Sequence, residues 1–490
     1  MLRTSFSRSF RTTATIGAGT RCLLSTSASA RMRRTKALRS GGANPPMEFP
    51  CIDRIETRQR DLMAGPEPTY EKVVTGYELF THTKPFVCDH GGVLPSLDIA
   101  YETWGMLNAD KSNVILIHTG LSASSHAHSH AKNTNPGWWE KFIGSGKAID
   151  TNKFFVICTN VIGGCYGSTG PWSVDPATGS RYATTFPLLT VNDIVRAQFL
   201  LLDHLEVDRL YASVGASMGG MQSLCAAALH PHRVGRVVSI SACARSHPYS
   251  IALRFAQRQA LMADPNFNRG FYYDGVLPHI GMKLARQVAT VTYRSGPEWE
   301  LRFGRRRRAP DQPPALCPDF LIETYLDHQS ERFCLQYDAN SLLYVSKAMD
   351  MFDISKSVTD RLAAQRQRAQ AQLDSHTGAS STAANGTVCM NVNEQPESAA
   401  GQSGIETGDE IAEDLVAGVK DAMQPALILG VQSDILFPVK QQKEIADILR
   451  RAGNTRVTYY ELDAMYGHDT FLIDVINVGA AIKGHLENNI

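Results

Sequence analysis

Residues 210–230 read LYASVGASMGGMQSLCAAALH. An apolar, β-rich run leads into Gly215-Ala216-Ser217-Met218-Gly219, a G-x-S-x-G, and an Ala-rich stretch suited to a helix follows at once. Small residues two before and two after the serine permit a tight, strained strand-to-helix turn, which lifts the hydroxyl above the sheet. The helix N-terminus then faces any anion formed at that hydroxyl. A strand before and a helix after give the pentapeptide its meaning as the seat of a nucleophile.

Working outward, a serine hydroxyl needs a base to take its proton and a carboxylate to orient that base. With this kind of turn the chain order is Ser, then Asp or Glu, then His, each partner in a loop after a late strand. Ala426–Val431 is an apolar strand followed by Gln432-Ser433-Asp434, which places Asp434 at its carboxyl end. Val457–Leu462 is the next strand, and Gly467-His468-Asp469 follows it. His468 is therefore the expected base. An oxyanion hole takes one N–H from the residue after the nucleophile, Met218, and another from the loop after an early strand. Val114–His118 is that strand, and Gly120 or Leu121 is the expected donor.

The rest of the chain supports one kind of fold. Apolar runs at Val114–Ile117, Phe154–Cys158, Leu210–Val214, Val234–Ile240, Ala426–Leu429 and Val457–Leu462 alternate with helical stretches. Such alternation predicts an α/β fold with a mostly parallel sheet covered on both faces. The rhythm breaks over 245–350, rich in Arg, Tyr and Met, which reads as an inserted helical lid. The core then comprises residues 75–244 and 425–486.

The 490 residues carry a net charge of only +1, which gives no footprint for a general nucleic-acid binder. No run approaches the ~18 apolar residues of a membrane span. That near-neutral sum hides two unlike segments. Residues 1–47 hold eight Arg and Lys36 without a single acid, together with many Ser and Thr, the pattern of a mitochondrial matrix targeting segment. Residues 359–424 contain no Phe, Trp or Tyr and carry ten acids against four bases. That low-complexity insertion is expected to be largely disordered, with a frayed helix around 361–373. The ten cysteines form no C-x-x-C, so neither a zinc framework nor a disulfide scaffold is expected, and free thiols imply a reducing compartment.

Three further stretches invite a reading. Ser125-His126-Ala127-His128-Ser129-His130 alternates histidines, but no Cys or carboxylate lies close to complete a metal site, so none is expected. Gly163–Gly170 lacks the spacing of a phosphate-binding loop and reads as a wall of the substrate cleft. Arg305–Arg308, beside three prolines, reads as a solvated loop.

With Ser217, Asp434 and His468 in place, longer phrases become informative: NPGWWEKFIG (135–144), FFVICTNVIGGCYGSTGP (154–171), DPATG (175–179), FPLLTVNDIVRAQ (186–198), GASMGGMQ (215–222) and GHDTFL (467–472). Over about 77–484 the chain resembles the homoserine/serine O-acyltransferase family of α/β-hydrolase-fold enzymes. The resemblance implies acyl transfer from acyl-CoA, a co-substrate and not a cofactor, to an amino-acid hydroxyl through an acyl-serine intermediate. It further implies that Arg286 binds the substrate carboxylate and Asp469 its ammonium, a sensible pair for a zwitterion. Homoserine-accepting members read H-A-L-T-G after the early strand, whereas this chain reads His118-Thr119-Gly120-Leu121-Ser122-Ala123-Ser124-Ser125-His126. That form resembles the serine-accepting branch, with Leu121, Ser122, Ala123 and Ser124 shaping the pocket. Arg254 resembles a position linked to succinyl-CoA use, with acetyl-CoA the other donor. The family also implies a homodimer. The expected activity is serine O-acylation for cysteine biosynthesis, with homoserine O-acetylation or ester hydrolysis as alternatives.

Overall fold

The computed structural model describes residues 74–375 and 408–488, apart from 315 and 317. The targeting segment and residues 376–407 of the insertion lie outside the described residues.

Eight strands form the central sheet: β1 (Glu78–His82), β2 (Leu97–Trp104), β3 (Val114–His118), β4 (Phe155–Thr159), β5 (Ala212–Ala216), β6 (Val237–Ile240), β7 (Ala426–Val431) and β8 (Val457–Leu462). Their spatial order is β1-β2-β4-β3-β5-β6-β7-β8. Pairing is parallel from β4 to β8, while β1 pairs antiparallel with β2 and β2 antiparallel with β4. Neither β1 nor β2 is among the strands expected from the apolar runs, although β2 (LDIAYETW) carries a partial apolar alternation.

Period-2 geometry explains the two-sided core. In β3, Val114 and Leu116 join one apolar cluster, with Val195 and Phe199 of α1 (Val191–His204) and Met221 and Leu224 of α2 (Met218–Leu229). Ile115 and Ile117 join the cluster on the opposite face, with Trp139 and Phe142, and with Val478 and Ile482 of the carboxyl-terminal helix. Both faces are buried in the middle of the sheet, so β3, β5, β6 and β7 are buried along their whole length, whereas the edge strands β1 and β8 keep exposed positions. Among the described residues no helix is long and apolar enough to cross a membrane.

Between β6 and β7 come α3 (Pro248–Met262), α4 (His279–Tyr293), α5 (Gly296–Arg302), α6 (Leu321–Cys334) and α7 (Ala339–Asp350). Then α8 (Lys356–Ser375) and α9 (Gly408–Gly418) border the insertion. These two helices show that order reaches further into 359–424 than its composition suggests. Leu362 of α8 and Leu415 of α9 are buried, as are Val419 and Ala422 beyond it. Arg366 of α8 forms an ion pair with Asp89, which is fully buried beside Asp193 and Arg196. A few apolar positions and one long-range ion pair hold segments whose average composition is that of a disordered chain. The six cysteines described as free are all buried, and burial pushes the thiols of Cys88, Cys158, Cys165, Cys225 and Cys243 up.

Candidate active site

Loops at the carboxyl ends of β3, β5, β7 and β8 meet at a cavity of about 340 Å³. Ser217 follows directly after β5, with φ 59° and ψ −126°. This conformation costs a residue bearing a Cβ roughly 1–3 kcal/mol. The surroundings impose it. Ser217 N–H donates to Ile240 O at 2.8 Å. A Cβ on Gly215 would lie 2.1 Å from Gly219 O, and one on Gly219 would lie 2.3 Å from His118 O. Only glycine fits either place, and the serine between them lines the cavity.

Asp434 sits in the turn after β7. Its Oδ1 accepts N–H groups of Leu436 (2.9 Å) and Phe437 (2.8 Å), and its Oδ2 lies 2.7 Å from His468 Nδ1. The imidazole stacks on Phe437 and meets Phe471 edge-on. Among the described residues its buried Nε2 has no hydrogen-bond partner, and the ring lines the same cavity as Ser217. Burial works against a charge on His468, but the Asp434 charge and hydrogen bond, with Asp469 adding, outweigh it and raise the pKa above the ordinary histidine value.

Gly120 and Leu121 line the cavity, and Met218 opens α2 directly after Ser217. The loop after β3 is held through its carbonyls: Gln222 Nε2 donates to Thr119 O at 2.9 Å, and the Tyr337 hydroxyl donates to Leu121 O at 2.8 Å. Gln198 donates to Gln222 Oε1 at 2.9 Å and contacts His118 Nδ1 at 3.0 Å. Burial pushes the His118 pKa down to about 3, so its neutral ring serves as a spacer in this amide relay. Leu121, Ser122 and Ala123 reach the cavity, whereas Ser124 is not among its lining residues. The Ser124 carbonyl instead accepts Trp138 Nε1–H at 2.9 Å, and Trp138 lines the cavity.

Three arginines and one aspartate give the cavity its charge. Arg286 lies over the rings of Phe333 (4.3 Å) and Tyr293 (5.2 Å), with its buried Nε unpartnered. Asp469 Oδ2 lies 3.0 Å from Arg294 Nε, and Arg294 Nη1 donates to Glu298 Oε1 at 2.8 Å. Burial pushes the Asp469 pKa up, while Arg294, His468 and Arg286 pull it back. Arg254 Nε lies 2.5 Å from Asp350 Oδ1, its Nη2 donates to Ser246 Oγ at 3.1 Å, and its buried Nη1 has no partner among the described residues. Arg258 takes the other oxygen of Asp350, so two guanidiniums share one carboxylate in this wall.

A family model described as the alpha/beta hydrolase fold matches residues 113–475. The chain is 57% identical over 484 residues to a serine O-succinyltransferase from Schizosaccharomyces pombe, covering 91% of this chain and 95% of that one. It is 58% identical over 462 residues to a serine O-succinyltransferase from Emericella nidulans, covering 91% and 88%. The chain belongs to the homoserine/serine O-acyltransferase family of the α/β-hydrolase fold. The crystal structure of a homoserine O-acetyltransferase from Bacillus anthracis superposes with a TM-score of 0.66 at 25% identity, covering 84% of this chain and 98% of that one.

Within this O-acyltransferase two sequence expectations need correction. A carboxylate does reach the histidine run: the fold brings Glu102 of β2 to it, with Oε2 2.8 Å from His126 Nδ1 and 2.6 Å from His130 Nε2. These are hydrogen-bond separations. Among the described residues the three side chains thus form one hydrogen-bonded network. Residues 163–170 are not among the cavity's lining residues. They pack inside instead, with Ser168 Oγ accepting Ala100 N–H at 2.9 Å and Tyr166 OH donating to Gln336 O at 2.9 Å. Of the four arginines at 305–308, Arg307 is half-buried and clamped by both oxygens of Asp319 at 2.8 and 2.9 Å, and the other three are exposed, as a solvated loop requires. Arg294, Gln198, Gln222, Trp138 and Tyr337 were not singled out in the sequence; the polar partners that give them their places lie far along the chain.

Proposed function

We propose that this enzyme transfers a succinyl group from succinyl-CoA to the hydroxyl of L-serine by a ping-pong route through an acyl-Ser217 intermediate. The observation that carries the reading is His468: its Nδ1 is committed to Asp434, and its buried, unpartnered Nε2 shares one cavity with Ser217. His468 takes the Ser217 proton as Oγ attacks the thioester carbonyl. N–H groups of Met218 and of Gly120 or Leu121 face the developing oxyanion. The imidazolium, stabilised by Asp434, returns the proton as the CoA thiol leaves. L-Serine then enters with its carboxylate on Arg286 and its ammonium toward Asp469, and His468 activates its hydroxyl to attack the acyl-enzyme.

Two features support the succinyl donor. The relatives named above are serine O-succinyltransferases, and Arg254 offers an unpartnered Nη1 in a wall where two guanidiniums share one carboxylate. A succinyl carboxylate complements that wall; an acetyl methyl does not. No cofactor is required by this chemistry. The product carries an activated side chain, which suits a following displacement by a sulfur nucleophile in cysteine synthesis. The acid-free basic segment at 1–47 supports action in the mitochondrial matrix.

The test is a matrix of serine and homoserine against succinyl-CoA and acetyl-CoA, read as kcat/KM. Serine with succinyl-CoA is expected to exceed the other three combinations. A homoserine preference would overturn the acceptor, an acetyl preference the donor, and steady CoA release without any amino acid would make the enzyme a hydrolase.

A further inference from the structure

Glu102 stands in the middle of β2, 2% exposed, and a buried carboxylate is costly unless it is fully hydrogen-bonded. Its bonds all come from one short segment. Ser125 Oγ donates to Oε1 at 2.8 Å, and Oε2 faces His126 Nδ1 at 2.8 Å and His130 Nε2 at 2.6 Å. His130 Nδ1 accepts Lys132 N–H at 3.2 Å, which leaves Nε2 as the donor to Glu102. The far nitrogen of His126 faces Asn135 O at 2.8 Å, so that ring spans from the sheet to the stretch leading to Trp138.

The same segment continues the cavity wall. Leu121, Ser122 and Ala123 line the cavity. Ser124 follows, with Oγ accepting His126 N–H at 3.2 Å and O accepting Trp138 Nε1–H at 2.9 Å. Ser125 N–H donates to Asn160 Oδ1 at 2.9 Å, and Trp138 N–H donates to His126 O at 3.2 Å. Both parts of the wall, the loop and the indole, are therefore tied through residues that Glu102 holds. Tyr337 and Gln222 fix the near end of the loop; Glu102 fixes its far end.

We infer that Glu102 is a positioning residue for acceptor selection: by gathering Ser125, His126 and His130 it sets where Leu121–Ala123 and Trp138 stand, and so the depth available to the amino-acid side chain. It touches neither substrate nor reacting atoms. The inference rests on the reading that an amino acid is the acceptor. An amide at this position can keep its oxygen on His126 and His130 and turn its NH₂ to Ser125 Oγ, so Glu102→Gln removes the charge that strengthens these bonds and forces the Ser125 hydroxyl to accept. The wall is then held less firmly, and the difference between a side chain with one methylene and one with two is less strictly enforced.

The experiment places serine and homoserine in direct competition for the acyl-enzyme, in wild type, Glu102→Gln and the milder Ser125→Ala. Both acceptors react with the same intermediate, so loss of folded enzyme or slower acylation cancels in the product ratio. The preference of the wild type is expected to fall about tenfold in Glu102→Gln and roughly threefold in Ser125→Ala, the scale of losing a charge-assisted hydrogen bond. Should Glu102→Gln fail to fold, Ser125→Ala alone decides. A ratio within twofold of wild type in the variants that fold overturns the inference. A wild type that prefers homoserine refutes the acceptor reading alone, because the variants still lose whichever preference exists; one that acylates neither amino acid overturns both.

Discussion

Asp434→Asn is expected to slow acylation about 10⁴-fold while moving its acid limb to lower pH. Asp434 Oδ1 accepts two backbone N–H groups, from Leu436 and Phe437, and these fix which way an amide would point. Its oxygen must take Oδ1's place, so its NH₂ faces His468 Nδ1. That nitrogen becomes an acceptor, and the imidazole proton moves to Nε2, the atom meant to receive the proton of Ser217. Two costs combine. Unit charges about 4 Å apart at an effective dielectric near 20 interact by about 4 kcal/mol, roughly a thousandfold in rate for the imidazolium formed during attack. The wrong tautomer brings the total to about 10⁴, as in other Ser–His–Asp sites.

The pH effect has the opposite sense from a general loss of function. His468 acts as a base only when neutral, so activity rises as pH rises through its pKa. Burial lowers that pKa, while Asp434 first and Asp469 second raise it, to a net value above the ordinary one. Without the Asp434 charge the lowering by burial prevails, and the limb moves down. Stopped-flow measurement of CoA release in a single turnover, from pH 5 to 9, reads both quantities. An acid limb that stays in place or rises, or a loss below a hundredfold, would refute the assignment of His468 as the titrating base.

Other outcomes follow from the same geometry. Ser217→Gly should abolish the acyl-enzyme yet raise the melting temperature, since relief of roughly 1–3 kcal/mol of backbone strain exceeds the ~0.5–1 kcal/mol entropic cost of glycine; calorimetry showing a lower value would remove the strain argument. Arg286→Gln should raise the KM for the amino acid at least ~10-fold with the CoA burst retained, because a bidentate charge-assisted contact is lost; an unchanged KM would place the carboxylate elsewhere. Arg366→Met leaves the buried Asp89–Asp193 pair with Arg196 alone. It should cost about 2 kcal/mol in urea unfolding, less than a fully buried pair because Arg366 is 28% exposed. Burial and the Asp89 charge push the Asp193 pKa up to about 7. Its contribution is thus complete at acid pH and lost as pH rises through 7, and Asp193→Asn should flatten that fall in a series of melting temperatures.

The grouping of Ser217, Asp434 and His468 was legible because much of it depends on local sequence. Gly215 is demanded by a backbone approach within its own turn, although Gly219 answers to the His118 carbonyl of β3, and Asp434 and His468 stand just beyond β-rich runs, the fully buried β7 and the half-exposed edge strand β8. What escaped depends on separations no window spans. Glu102 meets His126 across 24 residues, and Tyr337 meets Leu121 across 216. Arg294 carries no local mark in the sequence, and only the packing of α4 against the loop after β8 gives it Asp469. At the insertion the helix expected around 361–373 is present and somewhat longer, whereas α9 was not foreseen, because mean composition hides Leu415, Val419 and Ala422, whose burial anchors it.

The strand order β5-β6-β7-β8 also has a consequence in time. The nucleophile's turn is complete once β5, β3 and β6 are paired, but its acid and base arrive on the last two strands, which add at one edge without opening anything formed before. Between Ser217 and His468 lie about 250 residues, roughly 10–50 s of synthesis at 5–20 residues per second. Throughout that interval the elbow carries a serine with no base beside it. A chain stalled or cut anywhere before His468 is therefore expected to be inert toward thioesters, so competence to react would mark a chain made at least through β8 and the loop beyond it.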